Sequence, residues 1–251
     1  MSGHSKWSSI KHKKGAADAK RGQLFSKLSR AIIVAAKEGG PDPAANLALQ
    51  NAIEKARSYS MPKDNIERAI AKGAGADGEA ANFETVVYEG YGPEGVAVLV
   101  EALTDNRNRT ASEVRHAFTR YGGNLGTTGA VAWQFDRRGV VLVAGDGADE
   151  DELVLVAADA GADDVERDAS SFVVTTAPEA LTSVREALET GGFAIESVEL
   201  AMVPKTTVAV ADELTARKIV RLVEGLEDTE DVQDVYANFD IPEDVLETVA
   251  S

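Results

Sequence analysis

Apolar positions along this chain change period twice, and each change marks a different kind of structure. Leu24, Phe25, Leu28, Ile32 and Ala35 recur at helical spacing, with Lys20, Lys27, Arg30 and Lys37 on an adjacent stripe. Gly39-Gly40 ends that helix. Asp42-Pro43 predicts the start of a second, with Asp42 as N-cap and Pro43 in the first turn, and Leu49, Ile53 and Ala56 as its buried side. Met61-Pro62 opens a third, whose stripe is Ile66, Ala69 and Ile70 and whose stop is Gly73. Residues 20–73 therefore read as a small three-helix unit, followed by a Gly/Ala-rich linker over 73–81.

From Phe83 the pattern turns to strand. Glu84–Glu89 and Gly95–Leu103 are valine-rich and are joined by Gly90-Tyr91-Gly92-Pro93-Glu94-Gly95. That joint matches G-x-G-x-x-G. A dinucleotide site needs the motif to enter a helix, and here it enters Val96-Ala97-Val98-Leu99-Val100, so the glycines serve a hairpin. Thr110 and Glu113 form a capping box for a helix whose core face is Ala111, Val114, Phe118 and Tyr121. Gly122–Gly129 has the glycine content to cradle an anion on backbone N–H groups, but no P-loop lysine follows, and it reads as a loop.

Residues 138–200 carry an internal near-symmetry. Strand 139–144, helix 150–160 and strand 163–167 are followed by strand 172–176, helix 178–190 and strand 193–200, with Thr176 and Glu179 as another capping box. This is the β-α-β-β-α-β order of a ferredoxin-like split unit. A further strand 206–210, helix 212–225 and strand 232–239 complete, with residues 83–121, the parts of a second such unit. The expected class is α+β with three domains. They are a basic helical domain over 1–79, a discontinuous α/β domain over 80–131 and 204–251, and an acidic ferredoxin-like domain over 132–203 inserted into it.

Charge changes the picture most. The 251 residues carry a net charge of -16, yet residues 1–73 hold 14 Lys/Arg against 6 Asp/Glu, and the remainder 12 against 36. The cations crowd the head of the chain, where Lys6, Lys11, Lys13, Lys14, Lys20, Arg21, Lys27 and Arg30 surround Trp7 and His12. Basic residues interleaved with a ring that can stack point to nucleic acid, the cations on phosphates and Trp7 and His12 on bases. A solvated basic arm is the bland alternative. The amphipathic register of Leu24–Ala35 argues instead for a docking element. Arg107, Arg109 and Arg115 are candidates for a secondary phosphate zone, against a solvated helix face making local ion pairs.

Absences narrow the function further. Without cysteine there are no disulfides, no thiolate catalysis and no Cys-based zinc site, and a reducing cytoplasm is the expected compartment. The polar N-terminus lacks a signal-peptide h-region, and Ala31–Ala36 is too short to span a bilayer, so no membrane association is expected. His4, His12 and His116 are scattered, and neither H-E-x-x-H nor G-x-S-x-G occurs. Carboxylates such as those of 149–152 lie on predicted solvent faces. No catalytic residue, cofactor or metal is expected, and a monomer is the favoured state.

The segments GHSKWSSIKHKK (3–14), AKRGQLFSKL (19–28), ARSYSMPKDNIERAI (56–70), YEGYGPEGVAVLVEALTDNRNRTASEVRHAF (88–118) and GGNLG (122–126) resemble the YebC family. Its mitochondrial relatives include the translational activator of cytochrome oxidase subunit I. Weaker similarity of pattern covers nearly the whole chain. One departure is Glu94, where the family has a Gly-Gly pair after the proline. The resemblance implies three domains and a nucleic-acid-facing regulator of gene expression. Two targets stay open, duplex DNA for a transcriptional regulator and ribosomal RNA for a translation factor that relieves stalling on proline-rich nascent chains. Basic residues around an aromatic serve both. Two readings of other classes are a metabolite-sensing ferredoxin-like module and a scaffold whose acidic body engages a basic protein.

Overall fold

The computed structural model describes residues 18–75, 83–168 and 171–250. The chain is α+β, with N-terminal helices followed by two sheet-containing domains, the second inserted into the first. The described residues separate into two compact units, one within 135–205 and the other within 18–134 and 206–250.

Helices α1 (Asp18–Gly39), α2 (Leu47–Ser58) and α3 (Lys63–Gly73) close around Leu28, Ile32, Ile33, Leu49, Ile53, Met61 and Ile66. One detail differs from the sequence pattern. Asp42 does not cap α2: its carboxylate closes a turn by accepting from Ala44 N at 3.0 Å, and the helix begins after Asn46. Asn46 is the better cap because its amide has two ends. Its Oδ1 accepts from Leu49 N at 3.1 Å, while Nδ2 donates to Ala35 O at 2.7 Å and Gly40 O at 2.8 Å, tying the end of α1 to the start of α2. At the crossing of α3 over α1, a Cβ on Gly73 would come within 2.5 Å of Ile33 O, so only glycine allows the backbones that close.

Strands β1 (Glu84–Tyr91) and β2 (Ala97–Thr104) form the expected hairpin, in register from Glu84↔Thr104 to Tyr91↔Ala97. Helix α4 (Arg107–Arg120) follows. Its cap is Asn106, accepting from Arg109 N at 3.1 Å, rather than Thr110, which is buried one turn into the helix. Gly122–Gly129 is more structured than a plain loop: β3 (Asn124–Leu125) pairs antiparallel with Gly90 and Tyr91 of β1.

After the inserted domain, β8 (Val208–Ala209), α7 (Glu213–Glu227), β9 (Val232–Ala237), β10 (Phe239–Asp240) and α8 (Glu243–Ala250) return to the same unit. Its main sheet runs β3-β1-β2-β9, and β8 pairs in parallel with β10 in a separate two-stranded sheet. The β1–β2 hairpin makes these strands neighbours in the sheet, whereas a split unit separates them by a crossover. Val96, Val98 and Val100 meet Val114, Phe118, Ile219, Val223 and Val235 in the core. Ala97, Leu99 and Leu103 alternate with them and are buried too, so β2 is covered on both faces.

The inserted unit carries β4 (Phe135–Ala144), α5 (Glu150–Asp159), β5 (Ala162–Asp168), β6 (Ser171–Thr176), α6 (Leu181–Thr190) and β7 (Ile195–Pro204). Its antiparallel sheet order, β5-β6-β4-β7, is that of the split β-α-β-β-α-β unit. Val141, Val143, Leu153, Phe172, Val174, Val184 and Leu188 fill its core. Thr176 stays in β6 and donates to Ala177 O at 2.7 Å. A 3-10 turn over Pro178–Ala180 leads into α6 with no side-chain cap, so the expected capping box does not form.

The β1–β2 turn holds Glu94 at φ 57° and Gly95 at φ 76°. A left-handed backbone suits glycine and costs another L-residue about 1–2 kcal/mol. Glu94→Gly should therefore raise the melting temperature by about 1–4 °C, while Glu94→Ala, which keeps the strain, should leave it unchanged. Thermal denaturation of the three proteins checks this.

Candidate functional site

The sequence singles out cations, and the structure shows what several of them meet. Asp231, just before β9, is fully buried and receives charge from both sides. From α1, Arg30 Nη1 donates to Asp231 Oδ1 at 2.9 Å and to Glu230 O at 2.8 Å, and its Nη2 pairs with the Glu230 carboxylate. From α4, Arg109 Nη2 donates to Asp231 Oδ2 at 2.6 Å and to Asp105 Oδ1 at 2.8 Å. Thr110 Oγ1 lies 2.7 Å, and Thr104 Oγ1 3.1 Å, from the same Oδ2. Leu103 N donates to Asp231 O at 2.9 Å, which fastens the segment to β2.

Burial alone would raise the Asp231 carboxyl. Hydrogen bonds from Arg109, Thr110 and Thr104 outweigh it and hold the group below its usual range, while Asp231 and then Asp105 raise Arg109 in turn. Two more cations of the helical domain close on the same acidic segment. Lys27 donates to Glu227 O, and Lys55 Nζ meets Asp234 Oδ1 at 2.8 Å. The cationic stripe of α1 is thus a docking element, and part of it docks on this chain's own acidic segment, 227–234.

The remaining candidates are distributed differently. Arg107 pairs with Glu84, which lowers that carboxyl. Arg115 is exposed on α4, and Arg21 is exposed in α1. Lys20 lies in the first turn of α1. Lys6, Trp7, Lys11, His12, Lys13 and Lys14 lie outside the described residues. Among the described residues no three His, Cys, Asp or Glu side chains gather as metal ligands, and no helix is long and apolar enough to cross a membrane.

A second anion site was half legible. The glycine-rich segment after α4 does cradle an anion on backbone N–H groups, and the anion is the protein's own Glu89. Gly129 N donates to Oε1 at 2.6 Å, and Val131 N and Ala132 N donate to Oε2 at 2.7 and 2.8 Å. Burial pushes the Glu89 carboxyl up, and these three bonds bring it below its usual value. Asp231 and Glu89 escaped the sequence reading because each sits in a stretch that looks ordinary, an acidic run and an alternating strand.

Models of the TACO1/YebC protein N-terminal domain and of the TACO1/YebC second and third domain match residues 5–76 and 83–239. The chain belongs to the TACO1/YebC family. A relative from Rubrobacter xylanophilus is 57% identical over 250 residues, covering 100% of both chains, and one from Syntrophobacter fumaroxidans is 54% identical with the same coverage. Both are named probable transcriptional regulatory proteins. The crystal structure of a conserved hypothetical protein from Aquifex aeolicus superimposes with a TM-score of 0.81 at 51% identity, covering 90% of this chain and 93% of that one. Within the TACO1/YebC family, this chain is thus similar over its full length to proteins named as regulators.

The Asp231 cluster predicts a pH signature. A depressed carboxyl stabilises the fold fully above its unfolded pKa, near 4, and that contribution is lost as pH falls through the lower folded value. Asp231→Asn should destabilise the protein by about 3 kcal/mol at neutral pH, since Arg30 loses its buried partner while Arg109 is still reached by water. The variant should also lose part of the wild type's steepening below about pH 4, with Glu89 supplying the rest. Urea denaturation of both proteins across that range measures it.

Proposed function

We propose that this chain is a nucleic-acid-binding regulator of gene expression that meets its target through the basic head of the N-terminal domain. The observation that carries this reading is the charge polarity, 14 cations against 6 acids in residues 1–73 and 12 against 36 beyond. A polyanion is attracted to one end of such a molecule and repelled by the other, which orients the encounter. Lys27, Arg30 and Lys55 are turned onto the acidic segment 227–234, and phosphate contact is led by Lys6, Lys11, Lys13, Lys14 and Lys20, with Arg21 in the same basic head and Trp7 and His12 at the bases. Arg107 and Arg109 hold carboxylates, so Arg115 is the member of the secondary zone left for phosphate. The three-domain division at residues 1–79, 80–131 with 204–251, and 132–203 is part of the same proposal, and cytoplasmic action follows from the target.

Transcriptional control through DNA agrees with the names of the relatives. The exposed face of α3 favours a second target, ribosomal RNA bound by a translation factor. There Lys63 pairs with Glu67 at 3.5 Å and Asp64 sits beside Arg68. A helix so balanced in charge is poorly suited to reading bases in a major groove, and recognition led by backbone and shape suits RNA.

With about five phosphates contacted, affinity for duplex should fall with salt at a log–log slope near −4.5, and Lys11/Lys13/Lys14→Glu should flatten it to about −1.8. A salt series by fluorescence anisotropy reads both values, and a salt-insensitive wild type would sink the proposal. Sedimentation of lysate in sucrose then separates the two targets. Wild type travelling with ribosomal particles, and released by the triple charge reversal, selects RNA. Wild type staying at the top selects DNA.

A further inference from the structure

Trp133 stands 68% exposed, yet the loop that carries it is fixed on both sides. Before it, Gly129, Val131 and Ala132 are held by the Glu89 carboxylate, and Val131 is fully buried. Ala130 O accepts from Tyr91 Oη at 2.9 Å and from the indole Nε1 of Trp133 itself at 3.1 Å. After it, Gln134 Oε1 accepts from Asn238 Nδ2 at 3.2 Å. The ring's one polar atom is satisfied by its own loop, so what remains for a partner is the aromatic carbon surface. An exposed indole held this way loses little conformational freedom when something stacks on it.

The surroundings narrow what that something is. Residues 121–135 contain no Asp, Glu, Lys, Arg or His, the longest uncharged run in a chain of net charge -16. A polyanion meets less repulsion there than over the acidic remainder of the body. Among the exposed residues of this run, Thr127 and Thr128 offer hydroxyl donors and acceptors. The other large exposed apolar side chains of this unit, Leu47, Val87 and Leu214, belong to α2, β1 and α7 rather than to this loop. A protein partner would need a wider apolar patch, on the order of 800 Å². One rigid ring, on a loop whose sequence also carries two exposed hydroxyls, fits an unpaired base, which has a π-face and a hydrogen-bonding edge. At the start of the same segment, Arg115 and Arg120 of α4 are exposed and form no ion pair among the described residues, which leaves them available to a phosphate.

We infer that Trp133 is a stacking platform for an unpaired base of a bound nucleic acid, with Thr127 and Thr128 at the base edge and Arg115 and Arg120 on the adjoining backbone. The inference rests on the nucleic-acid reading for its ligand class and adds a contact point remote in sequence from the basic head. It also gives the protein a preference for single-stranded over fully paired targets.

The chain has two tryptophans, so Trp7→Phe leaves Trp133 as the sole indole reporter in the full-length protein. Titration with single-stranded oligoadenylate should quench that indole to saturation, while a duplex of the same length leaves it unchanged. Ribose and deoxyribose versions distinguish RNA from DNA as the source of the base. Trp133→Ala should weaken single-strand binding about five- to a hundredfold and Trp133→Phe should restore most of it, with the melting temperature unchanged in both. If the oligonucleotide binds but the indole is unperturbed and the alanine variant binds equally well, the platform falls and the proposed function stands. If the wild type binds no oligonucleotide even at low salt, both fall. Quenching by an uncharged apolar peptide, with none by oligonucleotide, likewise overturns the platform.

Discussion

A buried carboxylate has to be matched, and Asp231 imposes that requirement on two domains at once. With the side chain out of water, its charge is tolerable only if cations and hydroxyls surround it. They come from α1 through Arg30, from α4 through Arg109 and Thr110, and from the end of β2 through Thr104. Lys27 and Lys55 extend the match along Glu227–Asp234, and Arg30 also lies over the Phe83 ring, 5.5 Å from its centroid. The basic helical domain and the acidic α/β domain are therefore partners of each other before either meets anything else. The opposite net charges of the two parts of the chain thus have a structural use.

Glu89 solves the same problem with backbone instead of side chains. Its neighbours supply three N–H groups rather than cations, so the loop from Gly126 to Gln134 is ordered around an internal anion. That arrangement needs small residues where the backbone wraps most tightly. A Cβ on Gly123 would lie 2.5 Å from Tyr91 O, and one on Gly90 2.7 Å from Asn124 O. The result is a loop fixed in place and without charged side chains on a strongly acidic protein, and Trp133 is the large side chain it exposes.

Most of the fold was legible because hydrophobic period is a local signal. The three N-terminal helices, the β1–β2 hairpin and the split order of the inserted unit follow from spacing alone. Caps were less legible. Asp42, Thr110 and Thr176 all have cap chemistry, but Asn46 and Asn106 do the work in two cases and no side chain does in the third. Thr110 shows why: its hydroxyl is needed at Asp231, a residue 121 positions away, and no local rule contains that demand. The same holds for the candidate site. The basic stripe on α1 was visible, whereas which of its cations would be claimed by the chain's own acids depends on long-range contact.

This internal claim bears on how the protein can hold a polyanion. Arg30 has a buried carboxylate as its counter-ion, so a phosphate would have to displace Asp231 and strip it of one of its two cations, leaving Oδ1 without the partner that faces it. Displacement of that kind costs more than a surface phosphate contact returns. On the proposed function, binding that leaves the two domains docked uses cations outside the Asp231 cluster, and Lys6, Lys11, Lys13 and Lys14 are the set proposed for it. In that proposal the residues that lock the helical domain in place and those that meet the target are different sets. Charge reversal in the first should unfold or loosen the protein, and in the second should change only its affinity. On that proposal the basic residues from Lys6 to Arg30 take two roles, with Lys27 and Arg30 committed to the segment around Glu227.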